Sequence, residues 1–161
     1  MKKLLVFIIV VTLFTSCFLS DIEKPGVVVD AQLAADLLRE ATDTLNIGIR
    51  SIMEVEIYKN LMPGTENQAI SVGTELIAID SLSYPFSTRL ARQYVIKNDT
   101  IWIADHQDPI NNYDSILVYI VPDGPEWDLG DFVDVVSKAY DPLDGSVHYV
   151  IKENVEIQGA Y

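Results

Sequence analysis

With one cysteine and two histidines, this chain is poor in the residues that staple small folds or build metal centres. A single thiol excludes an internal disulfide and any multi-cysteine metal site, so the fold must hold by packing alone. No GxSxG elbow, HExxH pair or glycine-rich phosphate loop occurs, which removes the commonest catalytic signatures. Basic residues are also scarce, 11 Lys and Arg against 24 Asp and Glu, for a net charge of −13. Such a surface repels phosphates and anionic headgroups, which argues against nucleic acid as a partner and against docking to membranes by charge. No apolar run reaches the ~20 residues that a spanning helix needs.

What is present begins at the N-terminus. Lys2 and Lys3 precede the apolar stretch Leu4–Phe14, which only Thr12 interrupts, and Thr15 and Ser16 then lead to Cys17. This is the length and order of a signal-peptide core. Its end resembles the lipobox of bacterial lipoproteins, in the relaxed Bacteroidetes form with Phe14 where Leu is usual. The resemblance implies cleavage before Cys17, a diacylglyceryl thioether on its sulfur and a further acyl chain on the new amine. Each buried methylene contributes roughly 0.8 kcal/mol, so two or three chains make a lasting anchor. The expected address is the outer membrane, on the periplasmic or cell-surface leaflet. Removal of residues 1–16 takes two lysines with it, leaving 11 − 2 = 9 bases, so 24 acids give a mature charge of −15.

Three segments follow: a signal peptide at 1–16, a lipidated tether at 17–29 and one globular domain at 30–161. Asp30 is a good helix N-cap, and Leu33, Ala34, Leu37, Leu38, Ala41 and Leu45 form one apolar stripe. Residues 45–61 fit two periods, with a kinked continuation of the helix preferred over a strand. Beyond Gly64 the pattern is antiparallel sheet, with strands expected at Glu75–Asp80, Ser115–Val121 and Phe132–Ala139, and one strand or a hairpin at Val147–Ile157. The clearest hairpin is Tyr94–Ile103, turning at Asn98-Asp99, which pairs Ile96 with Ile101, Tyr94 with Ile103 and Val95 with Trp102. Tyr94-Val-Ile-Lys-Asn-Asp recurs as Tyr149-Val-Ile-Lys-Glu-Asn, better read as two converging strands than as a duplicated hairpin. The expected fold is α+β, an N-terminal helix on one face of a five- to seven-stranded antiparallel sheet.

Candidate sites are few. The loop Asp123-Gly-Pro-Glu126-Trp-Asp128-Leu-Gly-Asp131 is the best place for a hard cation. Its spacing departs from an EF-hand, and a solvated acidic turn explains it more simply. Trp127 and Trp102 are the tryptophans a sugar could stack on, with Trp102 better explained by packing. His148 reads as a structural histidine in a strand, and His106 as part of a polar loop. Every Asp-Ser or Asp-Thr is followed by Leu or Ile, giving acceptors at Thr44, Ser81, Thr100 and Ser115. These resemble the Asp-Ser/Thr-aliphatic sequon of the Bacteroidetes O-glycosylation system. Local structure is the competing explanation, since Asp closes turns and a β-former opens the next strand.

These residues assign no catalytic group, cofactor or metal. The expected function is a non-enzymatic binding or accessory lipoprotein, joined to a membrane by its lipid and holding another envelope protein or a glycan. The alternatives are a small-ligand carrier with an apolar cavity and, less favoured, a carboxylate-based hydrolase.

Overall fold

The computed structural model describes residues 24–62, 68–80, 83–84, 88–113, 115–141 and 143–160. The signal segment, Cys17, the tether as far as residue 23, and Ser81 lie outside the described residues. Among the described residues there are ten strands and one helix: β1 (Gly26–Val29), α1 (Ala31–Glu40), β2 (Thr44–Asn46), β3 (Arg50–Asn60), β4 (Ile70–Ala78), β5 (Leu90–Lys97), β6 (Thr100–Asp105), β7 (Asn111–Tyr113), β8 (Ile116–Val121), β9 (Phe132–Tyr140) and β10 (Val147–Ala160).

The strands run β1-β6-β5-β9-β10-β3-β4-β8-β7, with β2 branching from β3, and the sheet curls into a half-barrel. The expected α+β architecture is therefore corrected. The domain is mostly strand, and the one helix is a short cover rather than a layer. Two errors produced the difference. Residues 50–60 are strand rather than helix, because Met53, Val55 and Ile57 all point into the core while Glu54, Glu56 and Tyr58 point out. That period of two buries one whole face, which the helical alternative cannot do. Strands β1, β2 and β7, at three or four residues each, are too short to show a period.

The helix begins as its sequence demands. Asp30 Oδ1 accepts from the Leu33 N–H at 2.9 Å, a cap worth about 1 kcal/mol. It stops at Ala41 because another strand captures the chain. The Thr42 N–H donates to the Tyr149 carbonyl and the Ile151 N–H to the Thr42 carbonyl, at 3.1 and 2.9 Å. Leu45, which the helical stripe claimed, is instead buried in β2.

β10 joins the two halves of the sheet. From Val147 to Glu156 it pairs antiparallel with β9, and from Ile157 to Ala160 it pairs parallel with β3. A bulge between Lys152 and Val155 makes the bend, with Asn154 at φ +56°, a conformation Asn tolerates. The repeated hexapeptide thus serves two different ends. Its first copy turns a hairpin at Asn98, and its second only kinks a continuous strand.

The concave interior is the main core, where Val95, Trp102, Val135 and Val150 from one half meet Val72, Leu76, Leu117 and Tyr119 from the other. The convex face of the first half carries Tyr94, Ile96, Ile101, Ile103 and Val136, covered by Ala34 and Leu37 of α1. The β5–β6 register is the one read from sequence, pair for pair. The convex face of the second half belongs to neither of these clusters.

Candidate functional site

That second convex face is built by β3, β4 and β8, whose pairing fixes which side chains stand together. Glu54 lies opposite Glu75, which lies opposite Val118. One row along, Glu56 is followed by Gly73 and then Ile120, and Tyr58 pairs with Ser71 beyond. The outward side chains are half-buried or exposed, Ile120 at 48 % and Tyr58 at 37 %. Together they line a hollow of about 330 Å³.

Gly73 sits in the middle of this hollow. Glycine inside a strand costs roughly 0.5–1 kcal/mol against alanine, and a structural need normally explains it. Here none is visible, since Gly73 has no positive φ and an added Cβ would meet nothing nearer than the Glu56 carbonyl oxygen at 3.8 Å. What the missing side chain does is leave the floor open.

The electrostatics are equally unusual for a folded sheet. Like charges directly across a strand pair are destabilising, yet Glu54 and Glu75 are register partners. Lys152 reaches Glu54 Oε2 at 2.6 Å. The Tyr58 hydroxyl donates to Glu56 Oε2 at 2.8 Å, and that bond holds its pKa above the ordinary tyrosine value.

A second group of polar residues lies inside the half-barrel. Thr74 Oγ1 donates to Gln93 Oε1 at 3.1 Å, and Tyr84 donates to Ser51 Oγ at 2.6 Å. His106 Nε2 lies 3.3 Å from Ser137 Oγ, with its ring 4.9 Å from that of Tyr119. A histidine hydrogen-bonded to a serine is the first half of a hydrolytic arrangement, but Ser137 has no solvent exposure. No substrate can reach it. Burial pushes the His106 pKa down to about 4, with Asp105 opposing. Between the ordinary value near 6.5 and that value, the unfolded chain binds a proton that the folded chain refuses. Stability from this group is therefore complete above that window and falls as the pH drops through it. Urea titrations of the wild type should lose roughly 2 kcal/mol more between pH 7 and 4.5 than those of His106→Gln. Parallel pH profiles for the two would show that His106 is not the titrating group.

The acidic loop is organised by lysines. Lys97 pairs with Asp131 and lies 5.8 Å from the Trp127 ring centroid, while buried Lys59 donates to the Trp127 carbonyl at 2.9 Å. Lys97 holds the Asp131 carboxyl below the usual range, helped by the Asp128 N–H. Asp123, Glu126 and Asp128 are exposed. Among the described residues no three His, Cys, Asp or Glu converge as metal ligands. Trp127 packs on the main core and Trp102 is buried within it.

The remaining acceptors are dispersed. Thr44 lies in β2 opposite Ile52, Thr100 opens β6 beside the Asn98-Asp99 turn, and Ser115 precedes β8, all half-buried. His148 accepts or donates at 2.8 Å to Ser146 Oγ, a local structural bond.

Sequence reasoning missed Glu54, Glu56, Tyr58, Gly73, Glu75 and Ile120. The alternation in 53–58 was the available signal, and a strand reading there would have placed both glutamates and the tyrosine on one outer face. Their partners come from β4 and β8, which no local pattern brings beside β3. Compared with known proteins, the chain matches no family model, no curated protein and no solved structure.

Proposed function

We propose that the chain is an exported lipoprotein, anchored through acylated Cys17, whose folded domain is a non-enzymatic binding module presenting the β3–β4–β8 face to a partner in the cell envelope. The observation that carries this reading is the asymmetry of the convex surface. One half is covered by α1 and the other leaves a hollow around a glycine where a side chain would fit. A site that costs folding stability is more readily explained by binding than by packing.

The carrier reading has less support. The concave interior, where a ligand would sit, is filled by side chains such as Leu76, Tyr119 and Val135 that have almost no exposure. The carboxylate-based hydrolase reading has less support too, since Asp123, Glu126 and Asp128 are exposed along one loop.

Anchorage is tested by fractionation. Cys17→Ala should leave the domain folded and move it from the membrane pellet to the soluble fraction, and the wild type alone should incorporate a palmitate analogue. The thioether would be the one strong attachment, since a mature surface of such negative charge has no electrostatic pull toward anionic lipid. A Cys17→Ala protein that stays in the pellet, or a wild type that takes up no label, ends the lipoprotein assignment.

A further inference from the structure

We infer that the Gly73 hollow receives an arginine side chain from a partner polypeptide, flanked by aliphatic residues of the same segment. This rests on the reading of the β3–β4–β8 face as a binding surface and names what it binds.

Four observations fix the chemistry. The volume of about 330 Å³ lies at the bottom of the range for pockets that enclose whole small molecules, so it suits one long side chain. One wall is apolar, formed by Val118 and Ile120 beside the bare Gly73 backbone, which suits the methylene stem of a long basic residue. The rim carries Glu54, Glu56 and Glu75, of which Lys152 engages Glu54. An incoming cation would be attracted by Glu75 and by the facing Glu54 carboxylate, whose charge Lys152 already offsets in part. Finally, Tyr58 stands on the β3 side of the hollow, across β4 from Val118 and Ile120, with its hydroxyl tied to Glu56. A planar guanidinium stacks on such a ring while its N–H fork meets a carboxylate, which a lysine ammonium does less well. The flanking Ile52, Ile77 and Ile116 form one half-buried cross-strand row beside this rim, and they would pack against aliphatic neighbours of the arginine. The surplus of 13 negative charges over the full chain speeds encounter with any basic partner but does not select among them.

The test uses the full chain in an uncharged detergent and two dye-labelled synthetic peptides. One alternates valine and arginine; its twin carries citrulline, the uncharged isostere, in place of arginine. Fluorescence anisotropy should show the arginine peptide binding at least tenfold more tightly than the citrulline peptide. Gly73→Val fills the hollow without touching the charge. It should weaken the arginine peptide at least tenfold while melting at or above the wild-type temperature, and Glu75→Gln should weaken it several-fold. Equal binding of the two peptides overturns the proposal, because charge is then not recognised. Equal binding by wild type and Gly73→Val also overturns it, because attraction to the acidic surface alone then suffices. Competition by n-butylguanidinium as strong as by unlabelled peptide would make a free small cation the occupant, against a polypeptide. Anchorage through Cys17 is read by fractionation and does not depend on this titration, so the two readings fail separately.

Discussion

Ile96→Asp unfolds the domain under conditions where the wild type is fully native. Ile96 is 3 % exposed, on the convex face of β5 with Tyr94 beside it and Ile101 directly opposite. Ala34 and Leu37 of α1 close over them, and the register partner of Ile96 on β9 is Asp134, a like charge for the new carboxylate. The aspartate must either stay ionised in an apolar layer or take up a proton against its ordinary pKa, and both routes cost several kcal/mol. Most single domains have only about 5–15 kcal/mol in reserve. The matched control is Val29→Asp on edge strand β1, where 72 % of the residue is exposed and the change should cost within about 0.5 kcal/mol. Circular dichroism melts of the two variants decide the matter. Similar midpoints would mean that α1 does not cover this face.

Gly124→Ala is the second large effect, although it adds one methyl group. A Cβ at this position would lie 2.6 Å from Ile70 Cγ1 and 2.7 Å from a ring carbon of Trp102. Ile70 has no exposure and Trp102 has 5 %, so both neighbours are set in the core. The backbone cannot retreat easily either, since the Gly124 N–H is held by the Ile70 carbonyl at 2.9 Å. Overpacking of this kind costs about 1–3 kcal/mol. Gly73→Ala adds the same methyl group to open space and should be neutral or slightly stabilising. Urea unfolding of the two alanine variants therefore gives opposite signs or a wide gap. Equal destabilisation would show that Gly73 is needed by the fold, and the hollow would lose its functional meaning.

These contrasts show what local pattern can and cannot reveal. The β5–β6 hairpin was legible to the residue because Asn98-Asp99 fixes a two-residue turn, and Asn98 adopts the φ of +58° that such a turn needs. Once the turn is placed, alternation settles every pair. Residues 45–61 were misread because Leu45, Ile49, Ile52 and Val55 satisfy a helical stripe by coincidence. Tertiary capture of Thr42 by β10 decided the outcome, and nothing near Thr42 announces it. Architecture suffered most, because strand order depends on pairings such as β10 with β3, about a hundred residues apart in sequence. The candidate site was invisible for the same reason. Glu54, Glu75 and Val118 become neighbours only through that order, and a lone glycine in a strand has no pattern of its own.

The placement of β10 also sets a timetable. Among the described residues every other strand precedes it, yet it is the piece that links β9 to β3. Until it arrives, β3, β4 and β8 form one part of the sheet and β5, β6 and β9 another, each with its concave apolar face unmatched. Closing the loop between β3 and β10 carries the entropy of a long separation, and folds dominated by such distant pairings mature slowly. The sheet therefore stays unfinished until β10 has been made. On the proposed export route, where a chain crosses the membrane unfolded, that delay is an advantage. It also exposes two sticky half-sheets, so a chain stalled before β10 is the form most prone to aggregate.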